Sequence, residues 1–174
     1  MEVLHNFEFL ILDFVQEHIK NPFFDLVMPK ITFLGDAGLI WIVICVILLL
    51  KPKYRKHGIR LGIGILSSFL LTSFILKPIF ARTRPFNIRQ AAELLISEPG
   101  GYSFPSGHTA VSFCAAAIIL SINKKAGIAA IALASLIAFS RMYLYVHFPT
   151  DIIGGILVGV FAAKAVNWLF RRSL

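Results

Sequence analysis

Five stretches of this 174-residue chain are long and apolar enough to cross a bilayer: 31–50, 61–80, 108–122, 126–146 and 152–170. A spanning helix needs about 20 mostly apolar residues. Lipid offers the backbone no hydrogen-bond partners, so each stretch must satisfy its own backbone as a helix. The third is the shortest, and its N-terminal end is polar. The pattern predicts an all-α integral membrane protein, a bundle of five transmembrane helices forming one membrane-embedded domain over 1–174. Composition agrees: 57% of residues are apolar and 15% charged, against roughly 25% charged in an average soluble domain. Sixteen Phe exclude disorder. With 12 Gly, 8 Pro and 2 Cys, collagen-like and disulfide-scaffold readings also fail. Cys45 and Cys114 lie in apolar runs and read as small core residues.

Residues 1–30 differ from the rest. Val3, Leu4, Phe7, Leu10, Ile11, Phe14 and Val15 form a helical stripe, while Glu2, Asn6, Glu8, Asp13, Gln16 and Glu17 occupy much of the remainder. An amphipathic helix lying in the interface fits this pattern. A sixth span over 2–19 is the rival, and it would bury many charges. Glu2, Glu8, Asp13, Glu17 and Lys20 also argue against a cleavable signal peptide. Asn21-Pro22 reads as a cap and first helical residue, opening a short helix towards Met28.

The net charge is +8, from 17 Lys and Arg against 9 Asp and Glu. In so apolar a chain this marks cytoplasmic loops rather than a nucleic-acid partner. Lys51, Lys53, Arg55, Lys56 and Arg60 form one cluster, Lys124 and Lys125 a second, Arg171 and Arg172 a third. Five spans put all three on one side, assigned as cytoplasmic. The other side receives the N-terminal helix, the loop 81–105 and the connection 145–151. Within that loop, Ala91, Ala92, Leu94 and Leu95 suggest a short helix over 88–97 resting on the membrane.

That opposite face nevertheless carries charges at the ends of apolar spans, where ionisable residues are functional candidates. Three clusters stand out: Lys77-Pro-Ile-Phe-Ala-Arg-Thr-Arg84-Pro85; Phe104-Pro105-Ser106-Gly107-His108; and Ser140-Arg141 through His147 to Asp151. Lys77, Arg84 and Arg141 suit a phosphate. Pro105 reads as an early helical position, which puts Ser106, Gly107 and His108 in a first turn whose N–H groups face an anion. Two His and one Asp add a nucleophile or acid–base pair and a group to orient it. Asp151 is the only acid in the three clusters, which does not fit a two-metal site. No metal or cofactor is expected.

These residues closely resemble the signature of the type 2 phosphatidic acid phosphatase family, which also includes the vanadium haloperoxidases. The family pattern, K-x6-RP, then PSGH, then SR-x5-H-x3-D, is matched in order over 77–151. The resemblance implies that His147 is the nucleophile, forming a phosphohistidine, and that Asp151 holds its other ring nitrogen. It implies that His108 is the general acid and that Lys77, Arg84, Ser106, Gly107 and Arg141 bind the phosphoryl oxygens. A cationic cradle of this kind supplies the positioning and charge stabilisation that phosphoryl transfer demands.

The remaining polar residues have plainer readings. Arg82 and Arg89 read as interfacial side chains that reach for water, Asp36 as a loop cap, and His5, His18 and His57 as surface residues. The resemblance implies a metal-independent phosphatase of the bacterial membrane lipid phosphatase branch, in the cytoplasmic membrane with its site on the extracytoplasmic face. Its partners would be the bilayer and a lipid substrate, undecaprenyl pyrophosphate or phosphatidylglycerol phosphate. The rivals are a lipid A 1-phosphatase, a membrane protein that binds lipid phosphate without hydrolysing it, and a haloperoxidase.

Overall fold

The computed structural model describes residues 2–89 and 94–171, with side chains from His5 to Phe170. Of the suggested helix over 88–97, residues 90–93 lie outside that description, as do Arg172 and the side chains of Val3, Leu4 and Arg171, and 94–97 are not helical. The described residues form helices α1 (Glu2–Phe14), α2 (Pro22–Gly35), α3 (Leu39–Leu50), α4 (Arg55–Leu70), α5 (Lys77–Phe80), α6 (Pro85–Ile88), α7 (Gly107–Ile122), α8 (Lys124–Tyr143) and α9 (Pro149–Arg171). Wider π-type turns extend α1 through Val15–Ile19 and join α4 to α5 through Leu71–Leu76.

Four stretches, Pro22–Leu50, Pro52–Ile88, Lys124–Tyr143 and Pro149–Phe170, are long and apolar enough to cross a membrane. The chain is an integral membrane protein. The third expected span, α7, has 16 residues and sits at the centre. It packs on α4, α8 and α9, and Ala110, Cys114, Ala115, Ala116 and Ile118 on successive faces are buried. A helix that is apolar all round is a core helix, which explains how so short a stretch belongs in the bundle. Ile42, Val46, Leu157, Phe161 and Trp168 on the outer helices are exposed, as a lipid-facing belt requires. Gly159 lets α9 approach α7: a Cβ there would come within 2.3 Å of the Ala110 carbonyl oxygen.

The expected short helix after Pro22 proves longer. Asn21 caps α2 as anticipated, accepting from the Phe24 N–H at 3.0 Å, but the helix runs through Pro29 to Gly35. Proline costs one helical hydrogen bond there without stopping the chain. The break comes at Asp36–Gly38, where Ala37 has φ 49° and Gly38 φ 76°. The fourth span ends earlier than expected, at Tyr143. Leu144, Tyr145, Val146 and Phe148 are apolar because they fill a second core, under α1, with Phe9, Leu12 and Val15. Hydropathy alone counts them as helix.

On α1 the packed face is Glu8, Phe9, Leu12 and Val15, while Phe7, Leu10 and Phe14 from the expected stripe are exposed. At the opposite end of the bundle, Arg60 donates to Ser121 Oγ and Asn167 Oδ1, both at 2.6 Å. This ties the start of α4 to the ends of α7 and α9 and gathers the basic hairpins at one end.

Candidate active site

The three clusters meet in a cleft of about 230 Å³, lined among others by Lys77, Arg84, Gly107, His108, Arg141 and His147. Each side chain arrives from an element end. Lys77 opens α5, Arg84 caps α6, Gly107 and His108 begin α7, Arg141 lies in the last turn of α8, and His147 occupies the turn before α9.

His147 is 1% exposed. Its Nδ1 lies 3.3 Å from Asp151 Oδ2 and 3.3 Å from Ser103 Oγ, and its Nε2 lies 3.3 Å from Arg84 Nη1. Pro149 starts α9 between the pair, so Asp151 reaches back from the first turn of a helix, where a carboxylate is favoured. Burial drives the imidazole pKa down to about 3, Arg141 and Arg84 push the same way, and the hydrogen bond to Asp151 opposes them. His147 is therefore neutral at any ordinary pH. With its Nδ1–H directed at Asp151, the Nε2 lone pair faces the cleft.

Arg84 is nearly buried and fixed by carbonyls: Nε donates to Gly101 at 3.0 Å, Nη2 to Gly100 at 3.1 Å and Nη1 to Val146 at 3.0 Å. Arg141 donates from Nη1 to Thr32 Oγ1 at 2.5 Å. Its buried Nε has no hydrogen-bond partner among the described residues, which suits an anion in the cleft.

The PSGH turn differs from expectation. Pro105 is not helical: it precedes the N-cap, Ser106, whose backbone is extended. The Ser106 N–H is spent on the Asp151 carbonyl at 3.0 Å, and its Oγ accepts from Thr109 at 3.0 Å. Fully buried, Ser106 braces the turn against α9 from beside the cleft.

Two residues read as bland are engaged. Arg82 does not reach for water. It donates to Glu8 at 2.5 Å, Thr150 at 2.7 Å and Asp151 Oδ1 at 2.7 Å, with its guanidinium 4.1 Å from the Phe148 ring centroid. Two buried carboxylates thus share one cation. Asp36 does end α2, its N–H donating to the Phe33 carbonyl, but its side chain goes further: Oδ1 lies 2.7 Å from His108 Nε2. Arg89 stays half-exposed, pairing with Asp13 at 2.6 Å. His5 is drawn inward, its ring 5.5 Å from Phe148. Ser103, overlooked in the sequence, donates to Asp151 Oδ2, which also accepts the Phe148 N–H at 2.8 Å.

Beside the cleft runs an apolar groove of about 450 Å³, lined by Ile42, Ile65 and Leu66 and bordering it at Ala37, Phe69 and Val111. Among the described residues, no three His, Cys, Asp or Glu side chains gather as a metal-ligand set.

The family model described as PAP2 superfamily matches residues 58–174. The chain is 38% identical over 130 residues to the undecaprenyl-diphosphatase of Sulfolobus acidocaldarius, an alignment covering 73% of this chain and 63% of that protein. It thus spans less than two thirds of that relative's length. It is 32% identical over 189 residues to the lipid A 4'-phosphatase of Porphyromonas gingivalis, covering 99% of this chain and 76% of that protein. The crystal structure of a transmembrane PAP2-type phosphatidylglycerolphosphate phosphatase from Bacillus subtilis matches with a TM-score of 0.80 at 27% identity, covering 99% of this chain and 88% of that one.

Proposed function

The chain belongs to the PAP2 superfamily, and from that membership we propose that it is a membrane lipid phosphatase working through a phosphohistidine. The observation that carries the reading is His147, neutral, held at Nδ1 by Asp151, with Nε2 turned towards a cleft that Lys77, Arg84 and Arg141 line. Binding alone requires no such nucleophile.

Nε2 of His147 attacks phosphorus while the bond to the lipid-side oxygen breaks. His108 gives that oxygen a proton, and the lipid alcohol, or the lipid monophosphate if the substrate is a diphosphate, departs. Water then attacks the phosphorus and passes a proton to His108. The N–P bond breaks and inorganic phosphate leaves. Lys77, Arg84, Arg141 and the N-terminal turn of α7 hold the phosphoryl oxygens throughout. These cations stand where a metal-dependent phosphatase would use its ions, so no metal is required.

The substrate class is a lipid phosphate or diphosphate, supported by the apolar groove that continues the cleft and by the substrates in the relatives' names. Undecaprenyl pyrophosphate and phosphatidylglycerol phosphate lead, with lipid A phosphates behind. The test is phosphate release from a panel of these lipids by detergent-purified protein in EDTA. Release should persist under chelation and vanish in His147→Ala. Activity that needed added magnesium would sink the mechanism.

The site faces the outside of the cytoplasmic membrane, because the basic hairpins lie at the other end of the bundle. Cys45 and Cys114 are buried, so an added cysteine reports cleanly. Ser97→Cys should react with an impermeant maleimide in intact cells and Lys53→Cys only after lysis. The reverse pattern would invert the orientation.

A further inference from the structure

Asp36 lies outside all three motif clusters, in the break between α2 and α3. It belongs to a Gly35-Asp36-Ala37-Gly38 step whose last two residues both have positive φ, 49° at Ala37 and 76° at Gly38. Positive φ is strained for alanine, and such strain persists only where the surroundings hold it in place. Here it turns the end of α2 onto the first turn of α7. Gly35 meets His108 so closely that a Cβ would fall 2.8 Å from its Cδ2. The ring thus lies against bare backbone, and the next residue, Asp36, reaches its Nε2 at 2.7 Å.

Three charged groups face His108: Asp36 from the break, Lys77 from α5 and Arg141 from α8. Asp36 is the one carboxylate among the three, and it is the one bonded to the ring. With Nε2 engaged, Nδ1 is the ring nitrogen left for the substrate. His147 shows the same scheme with the nitrogens exchanged, Nδ1 held by a carboxylate and Nε2 on the phosphate side, 3.3 Å from Arg84 Nη1.

We propose that Asp36 is the positioning residue of the acid–base histidine: it holds His108 Nε2 so that Nδ1 delivers a proton to the leaving oxygen and then takes one from the attacking water. The role rests on the phosphatase reading above. While His108 is an imidazolium, both nitrogens carry protons. Nδ1 gives its proton to the oxygen released from phosphorus, and Asp36 keeps the remaining proton on Nε2. Nδ1 is left with a lone pair, the form needed to accept a proton from water in the second step.

A leaving group that departs without a proton should not need Asp36. The test compares a long-chain alkyl phosphate with p-nitrophenyl phosphate, using the full chain in detergent. Asp36→Asn keeps the shape and removes the charge. It should lower kcat on the alkyl phosphate about tenfold or more, leave KM within about twofold, and spare the aryl phosphate. Asp36→Glu should recover part of the loss. In a His108→Ala background, Asp36→Asn should add nothing, since the residue acts only through the histidine. Equal losses on both substrates would overturn the role, as would a change confined to KM or an unaltered alkyl rate. Gel filtration separates misfolding from these outcomes, and Asp36→Ser gives a second uncharged variant if Asn folds poorly. A wild-type chain inactive on every phosphate would overturn the phosphatase reading itself, and this role with it.

Discussion

The site contains two histidine–carboxylate pairs, and they are built differently. In the inner pair, His147 and Asp151 are both buried and separated by one turn of chain. Asp151 also accepts from Phe148, Ser103 and Arg82. In the outer pair, His108 and Asp36 are 72 residues apart in sequence. The Asp36 side chain is 54% exposed, and His108 is its one salt-bridge partner among the described residues. The difference follows the chemistry each pair must do. A nucleophile needs one orientation, a dry site and a neutral ring. An acid–base group must regain or release a proton every turnover, which requires contact with water. Rigidity and burial serve the first and would obstruct the second.

The strongest way to break this comparison is through Arg82. Removing the cation that Glu8 and Asp151 share leaves two buried carboxylates short of a partner, which costs about 3–5 kcal/mol when burial is complete. Arg82 is 17% exposed, so Arg82→Met should fall near 3 kcal/mol on that scale. Thermal unfolding in detergent measures it, and adding Glu8→Gln should return part of the loss. Asp36→Asn, with one half-exposed contact, should stay within about 0.5 kcal/mol of wild type. Similar costs for the two would mean that inner and outer pairs are not distinct.

The phosphate side of the inner pair gives a smaller effect. Arg84 contacts three carbonyls and His147 through a planar fork that lysine cannot reproduce. Arg84→Lys and Arg141→Lys keep the charge but should each lose about 1.5–3 kcal/mol of transition-state stabilisation, about one to two decades in rate. Arg89→Lys is the control, since that residue pairs with Asp13 away from the cleft. Equal losses at Arg84 and Arg89 would reduce the cradle to a diffuse positive surface.

Much of the inner pair was legible in the sequence, and little of what surrounds it. Lys77, Arg84, Arg141, His147 and Asp151 were legible as charged and polar residues at the ends of apolar spans, in an order and spacing that resemble the family signature. The spans were legible because lipid imposes a length. Pairings across the fold were not: Glu8 reaches Arg82 over 74 residues, a distance in sequence that no local pattern encodes. Two weak signals existed. Glu8 sits at helical spacing with Leu12 and Val15, an acid on what became the packed face. Gly35-Asp36-Ala37-Gly38 interrupts an apolar run with break-forming residues. Ser106 was legible as a motif member, but its N–H is used to brace α9, a fact that only the packing of α7 on α9 supplies.

The smallest effect tests whether burial holds the nucleophile neutral. An imidazole in the unfolded chain takes a proton near its ordinary value of 6.5, whereas His147 in the folded site resists until about pH 3. Above 6.5 neither form is protonated, and the contribution to stability is complete. Below it the unfolded chain binds a proton that the folded site refuses, so stability falls as pH drops from about 6.5 towards 3. Each pH unit within that window costs about 1 kcal/mol. Melting of wild type in detergent should therefore slope downward between pH 6.5 and 5. His147→Gln, which has no titrating ring, should reduce that slope by the same amount while leaving the melting point near pH 7.5 less affected. An unchanged slope in His147→Gln would mean that the ring is not kept neutral by burial. The contrast between a dry inner pair and a wet outer one would then lose its physical basis.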